Sequence, residues 1–559
     1  METALDHIES LINQGRYFEA KAQAFVLHKE LPSLRLQQLC ALSLSKCGVP
    51  EAALMFLKPI YDKDPNDPET AGILGGIYKE LFIKSKSQPY AILARDTYRK
   101  NFIATKSYYT GINAATLSAI TGQSKIAQQT ANEVLALLPS QNLTFWQEAT
   151  KAEAQFIAKD RLQAQASYFR VRELAGNDWG KVNSIYNQLW LLNHYISVPQ
   201  ELLQIFKPPV TVAFVGHMID HPNRRQSRFP QSIENNIKDA LVTQINNLNA
   251  KVGYCSLACG GDILFAEAMA ESGGEVNIHL PFCEEDFLDA SVRFAGGDWE
   301  ERFRRLTQQF PVTYFTQGHY RDHPDLFFYQ TAVIFGSTLM HSREKPHLIT
   351  VLSERDKQRK EGGTLDTLKL WPYPELVINV NPDKFFSPQH HSEEPRKETT
   401  PTKNDTPVLF LMAVDFPDTN PEEKEELWKS INTRVETLQL TPTVIQWSES
   451  TVWVAHLSAS RVIEIFELMA EVVLRFHTPN NLRTALHLGI ASVDEPLFFT
   501  SEAVVVLSEV HRHALPAQWL ATEPAAAALM LATGNRNISY VSKLATSGSS
   551  DEISIYAIG

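Results

Sequence analysis

Cysteine is scarce in this 559-residue chain: the five residues Cys40, Cys47, Cys255, Cys259 and Cys283 include no Cys-x-x-Cys pair. That excludes a disulfide framework and suggests no zinc site of paired spacing, so the thiols are expected to be reduced and structural. Cys255 and Cys259 lie near a Gly-Gly corner and are the two open to redox sensitivity. An apolar run of about 18 residues, enough to span a membrane, is also missing. The opening METALDHIESLINQGRYF is acidic and amphipathic rather than a charged-then-apolar leader, which points to the cytoplasm. A basic surplus is absent too. With a net charge of -12 the chain has no extended nucleic-acid surface to offer and gains little from an anionic membrane.

What is present divides by pattern, and the length predicts two to four domains. Residues 1–205 place apolar residues at helical spacing over 3–13, 17–29, 34–46, 50–63, 67–82, 88–102, 107–121, 124–138, 144–158, 161–175 and 181–196. Turn phrases recur: Gly15 and Gly48 lie 33 residues apart, Gly122 and Asp160 lie 38 apart, each followed by a short polar turn and a helix. Near 206 the pattern changes to alternating strands and helices, with strands over 208–216, 251–257, 275–281, 311–315, 347–352 and 375–381. Such alternation builds an α/β parallel sheet with helices on both faces, here over 206–386. Residues 387–407 hold four prolines and almost nothing apolar, and read as a disordered linker in which His390 and His391 are incidental. From 408 to 559 the mixture is α+β, with strands near 408–415, 442–447, 451–456, 485–491, 538–542 and 552–557.

Ligands of open parallel sheets sit at the carboxyl ends of the strands, and three such ends carry glycine and polar groups. FVGHMIDHPNRRQSRFP supplies Gly216, His217, Asp220 and Arg228; CSLACGGDILFAEAM supplies Gly260, Gly261 and Asp262; KEGGTLDTLKLW supplies Gly362, Gly363, Thr364 and Asp366. If they converge on one edge they form a three-sided pocket. The competing structural reading makes Asp262 a helix cap and Arg228 the partner of a nearby carboxylate.

Three resemblances enter on these residues. The 33-residue and 38-residue periods resemble tetratricopeptide repeats, similar to the TRAFs-binding-domain-like region, which implies a helical solenoid that takes a protein or peptide partner. SLACGGDILFAEAMAESGGEVNIHLP and EGGTLDTLKLW resemble the two Gly-rich loops of the SLOG superfamily, a Rossmann-like group. That resemblance implies binding of a nucleotide or nucleotide-derived signal. The hydrolytic branch of the group carries Pro-Gly-Gly-x-Gly-Thr-x-x-Glu; residues 360–366 lack the proline, the third glycine and the glutamate, which argues against hydrolysis by Asp366 or Glu267. LFLMAVDFPDT and VIQWSESTVWVAHL are similar to the first strand and hairpin of class III adenylate/guanylate cyclases, a ferredoxin-like α+β fold. The likeness places Asp415 and Glu449 where the metal-holding aspartates stand, but Ser448-Glu449-Ser450 replaces Gly-Asp-Gly. Val504 and Ser508 fall where the family has its ribose-orienting Asn and its phosphate-stabilising Arg, so the domain is expected to be a pseudoenzyme with at most vestigial Mg²⁺ binding.

Together these imply a bacterial signalling protein. The expectation is a non-enzymatic sensor that needs no cofactor, binds a nucleotide-like molecule in the middle domain, docks a protein through the repeats and pairs as a homodimer through the cyclase-like domain. The alternatives are an enzyme, either a nucleotide N-glycosidase (phosphoribohydrolase) or a residual cyclase, and a pure interaction scaffold.

Overall fold

The computed structural model describes residues 2–176, 178–221, 224, 227–316, 319, 325–357, 368–386, 408–415, 421–439, 443–448, 451–456, 483–490, 501–516, 518–534, 537–545 and 552–559. They fall into two compact units, residues 1–208 with 541–543, and residues 209–540 with 544–559.

In the first unit twelve described helices follow one another: α1 (Glu2–Asn13), α2 (Tyr17–Glu30), α3 (Leu34–Lys46), α4 (Pro50–Lys63), α5 (Pro68–Ser85), α6 (Gln88–Thr105), α7 (Tyr108–Ile120), α8 (Ser124–Leu137), α9 (Phe145–Ile157), α10 (Arg161–Ala175), α11 (Trp179–Asn193) and α12 (Gln200–Ile205). Each packs on the next, the arrangement of a helical-repeat solenoid. Helix starts are set locally, since Ser33, Asp67, Thr144, Asp160 and Asp178 each accept a first-turn amide. The turns repeat as well. Gly15, Gly48 and Gly122 adopt φ of 78°, 83° and 80°, and in the fourth turn phrase Lys159 takes that conformation at 70° while Asp160 caps the next helix.

The second unit holds two sheets. One contains β1 (Val210–Gly216), β2 (Ala250–Cys255), β3 (Glu275–Leu280), β4 (Val312–Tyr314), β5 (His347–Val351) and β6 (Val377–Val380) in the order β4-β3-β2-β1-β5-β6. Every described pairing in it is parallel. Its described helices are α13 (Glu234–Leu248), α14 (Gly261–Glu271), α15 (Glu284–Ser291), α16 (Trp299–Gln309), α17 (Asp325–His341) and α18 (Glu354–Lys357). β1 and β5 read as near-continuous apolar runs because both faces of a parallel sheet are covered.

The other sheet contains β7 (Val408–Asp415), β8 (Thr443–Ser448), β9 (Thr451–His456), β10 (Arg483–Ile490), β11 (Gln518–Thr522), β12 (Ile538–Ala545) and β13 (Glu552–Ile558), ordered β12-β13-β11-β10-β7-β9-β8. β7 pairs antiparallel with β9 and β10, whereas β11 runs parallel to β10. Three described helices accompany it: α19 (Pro421–Thr437), α20 (Glu502–His513) and α21 (Glu523–Thr533). Strand β11 is not among the expected strands. Its five residues QWLAT run straight into α21, too short a stretch to display a period.

Helix α17 lies against β1, β2 and β3, α21 lies against β10, β11 and β13, and the two helices pack on each other. One apolar core therefore runs through both sheets, from Val212 and Phe265 to Ala526 and Leu488. The crossing is close. A Cβ added at Gly336 of α17 would stand 2.1 Å from the Ala527 carbonyl oxygen of α21, a backbone atom that no rotamer change can move. Gly336→Ala is accordingly expected to cost about 1–3 kcal/mol by overpacking. Gly72→Ala, where nothing lies within 4 Å of the new methyl, should be neutral or stabilising through helix propensity. Urea unfolding of the two variants checks the opposite signs.

Candidate functional site

Strand order reverses between β1 and β5. From β1 the chain steps outward through β2 and β3 to β4, and then returns through α17 to β5 on the other side of β1. Crossovers therefore leave β1 and β5 toward opposite faces and open a crevice at their carboxyl ends, the position where open α/β sheets take ligands.

Gly216 ends β1, and a Cβ there would stand 2.8 Å from the Phe214 ring and 3.2 Å from Val351 Cβ. The next residue, His217, is buried; its amide donates to Val351 O at 2.9 Å and its carbonyl accepts from Gly261 N at 3.0 Å. Ile219 N donates to Cys259 O at 3.1 Å. The loop after β1 thus lies directly on the Gly-Gly corner. Gly260, at φ 99°, would place a Cβ 2.6 Å from Ile219 N. The glycines admit the chain's own backbone, and the amides of Gly261 and Ile263 already donate to His217 O and Ala258 O, so they are not a ready-made phosphate cradle.

Asp262 does not cap α14, whose N-cap is Gly260; it is buried and accepts from Ala258 N at 3.1 Å, pinning the loop ahead of the helix. Burial lifts its carboxyl from 3.8 to about 7, against the opposing pull of that hydrogen bond. Asp220 organises the loop after β1: it accepts from Ser227 Oγ at 2.6 Å, Arg228 N at 2.9 Å and Phe229 N at 3.0 Å, with Arg224 Nε at 3.4 Å. Arg228 therefore meets a carboxylate through its backbone amide.

Beyond β5 lie groups that sequence reasoning passed over. Arg355 donates from Nη2 to Ser227 O at 3.1 Å and from Nε to Asp383 at 3.0 Å, and Ser353 Oγ donates to the same carboxylate at 2.8 Å. Burial would raise the Asp383 carboxyl, but these hydrogen bonds hold it below its ordinary value. The available signal was a strand, LITVL, ending in Ser-Glu-Arg at a helix start. The structure thus gathers Gly216, His217, Asp220, Arg228, Gly260, Gly261 and Asp262 with Arg355 and Asp383 on one edge. Gly362, Gly363, Thr364 and Asp366 lie outside the described residues. Glu267 is elsewhere, on the α16 side of α14, where both its oxygens accept from Arg302 at 3.0 and 2.6 Å and Arg305 adds a third contact at 2.5 Å.

On the second sheet Asp415 ends β7, nearly fully buried, opposite Arg483 of β10. The Arg483 guanidinium binds it through Nε at 3.0 Å and through a second, shorter contact from Nη2. A cation thus stands on the carboxylate assigned to a vestigial metal; Glu449 lies outside the described residues.

The solenoid has a concave feature of its own. A groove of about 470 Å³ is lined by Ser45, Glu69, Glu80, Asn101, Tyr109 and Thr110, among others. Side chains about one repeat apart are bonded, Ser45 to Glu80 in the groove lining and, beyond it, Lys79 to Asn113 at 2.9 Å, Thr116 to Glu153 and Gln188 to Glu153 at 2.6 Å. Burial lowers the Lys79 ammonium and raises the Glu153 carboxyl, and it also raises the carboxyl of Glu80, which lines the groove. Residues 2–118 match the family model described as TPR-S, Tetratricopeptide Repeats-Sensor.

Residues 2–118 are a tetratricopeptide-like repeat region.

All the residues named as lining the groove fall inside the matched part of this tetratricopeptide-type region. No curated protein matches the chain. Among solved structures, a thermophilic TPR protein of Thermus thermophilus is 20% identical, covering 34% of this chain and 98% of its own, with a TM-score of 0.29. A tetratricopeptide repeat protein of Parabacteroides merdae is 13% identical over 36% of this chain and 82% of its own, TM-score 0.25. Full-length LpoA of Haemophilus influenzae is 12% identical over 67% and 77%, TM-score 0.18. No described helix is long and apolar enough to cross a membrane.

Asp262 gives the crevice a pH signature. Because its folded-state pKa of about 7 lies above the ordinary 3.8, folding favours the neutral acid; that stability is complete below the ordinary value and is lost as pH rises toward 7. Urea unfolding between about pH 4 and 8 should show the wild type losing a few kcal/mol relative to Asp262→Asn, since a tenfold change in proton affinity is worth about 1.4 kcal/mol. Above that range the difference between the two proteins should stay constant.

Proposed function

We propose that the protein is a signalling sensor whose parallel-sheet crevice binds a nucleotide or nucleotide-derived anion, and whose tetratricopeptide-type repeats dock a protein partner. The observation that carries the reading is the reversal of strand order at β1 and β5, with Arg224, Arg228 and Arg355 on the two segments that follow those strands. Guanidinium groups fit phosphate geometry through paired donors. The likeness of CSLACGGDILFAEAM to the SLOG loops supports a nucleotide as the anion. The closed Gly-Gly corner favours a ligand held by the loop arginines over one seated on the amides of α14.

Within this reading the C-terminal sheet is a cyclase-type fold without catalysis. Its strands β10-β7-β9-β8 follow the fourth-first-third-second order of a ferredoxin-like unit, which supports that assignment. The Asp415–Arg483 pair supports the loss of catalysis, since a guanidinium occupies the carboxylate that a metal would need. Relay from crevice to cyclase-type sheet is assigned to α17, which packs on β1 and on α21.

Thermal unfolding against a panel of mono-, di-, cyclic and linked nucleotides, followed by chromatography, tests the proposal. At 100 times its Kd a ligand adds about 2.7 kcal/mol, an easily read shift. The expected result is a raised Tm with the nucleotide recovered intact and the shift much reduced in Arg228→Ala. No shift across the panel contradicts the sensor reading; consumption of the nucleotide would favour the enzyme.

A further inference from the structure

We propose that Cys283, Asp286 and His319 form a divalent-metal site of zinc type at the carboxyl ends of β3 and β4. Cys283 is the N-cap of α15, Asp286 lies in the first turn of that helix, and His319 follows β4, the strand paired with β3. His319 Nδ1 stands 3.7 Å from Cys283 Sγ and 3.2 Å from an Asp286 oxygen, and the three ligand atoms all lie within 4.8 Å of one another. Those separations are within hydrogen-bonding reach, and they also fit a shared cation. Bond lengths of about 2.3 Å to sulfur, 2.0 Å to nitrogen and 2.1 Å to oxygen around a tetrahedral ion make the sulfur–nitrogen edge about 3.5 Å and the nitrogen–oxygen edge about 3.3 Å. Both observed edges lie close to these values.

The donor set narrows the metal. Calcium and magnesium take oxygen, whereas one thiolate, one imidazole and one carboxylate suit zinc and its neighbours in the first transition row. Cys283 is also the one cysteine of the five that is not buried, and His319 is exposed, so an ion can enter and a fourth position faces solvent for water or an exogenous ligand. Three ligands with an open fourth position describe a reactive or ligand-exchanging site rather than a closed structural one. The spacing hides it in the sequence because the ligands come from two segments, with Asp286 and His319 33 residues apart. The site stands on β3 and β4, not at the β1 and β5 crevice, so it is independent of the nucleotide reading.

The test uses the full chain, stripped with a chelator and titrated with Co²⁺, then with Zn²⁺. One equivalent of Co²⁺ should produce a thiolate-to-cobalt charge-transfer band in the near ultraviolet and tetrahedral-strength visible bands, and Zn²⁺ should abolish both. Cys283→Ser should remove the charge-transfer band while leaving the circular dichroism unchanged. His319→Ala, at an exposed position, should weaken Zn²⁺ binding by at least the roughly 10-fold that even an outer-shell partner commands. Absence of the band in the wild type, its persistence in Cys283→Ser, or unchanged affinity in His319→Ala would overturn the site.

Discussion

The contact on which the second unit depends is the one between Gly336 and the backbone of Ala527. Two helices whose axes must approach that closely need a residue without a side chain on one of them and small residues on the other, and α21 supplies Ala525 through Ala528. The close crossing lets α17 cover the parallel sheet while α21 covers the mixed sheet, so that neither sheet leaves that face bare. It also brings a polar cluster into the joint. His341 Nε2 lies 3.0 Å from the Tyr556 hydroxyl, Ser337 Oγ donates to Glu523, and Tyr254 of β2 stacks on His341 with ring centroids 5.7 Å apart. Buried hydrogen bonds of this kind specify one docking geometry, because a shifted helix would leave polar groups without partners.

Much of this was legible in the sequence where the determinant is local. Helical periodicity placed the solenoid helices α1 to α11 to within a few residues but not α12, and the β-branched runs VTVAFVG and HLITV placed the central strands. What escaped depends on partners distant in the chain. Nothing near Gly336 announces Ala527, and nothing near Arg355 announces Ser227 and Asp383. The Gly-Gly corner was legible as a close backbone approach, but not in what approaches. Its neighbour proved to be residues 217–219 of the same chain, which moves the candidate ligand contacts outward to the arginines. Asp262 reads as a cap because it opens a helix; its bond to Ala258 N instead runs back along the chain.

Several carboxylates that the sequence offers for chemistry are structural first. Asp220 is saturated by loop amides, Glu267 by Arg302 and Arg305, and Asp415 by Arg483. Each is an acidic group that the sequence singles out, and each has its oxygens engaged from within.

The central claim is that the two sheets respond as one body because α17 and α21 lock them together. Native-state hydrogen exchange of the full chain tests it most directly, following the slowest amides of β1 and β2 against those of β10 and β11 through a denaturant series. The account predicts that both sets converge on one opening free energy and one denaturant dependence. Separate isotherms, with the mixed sheet opening while the parallel sheet stays protected, would contradict it.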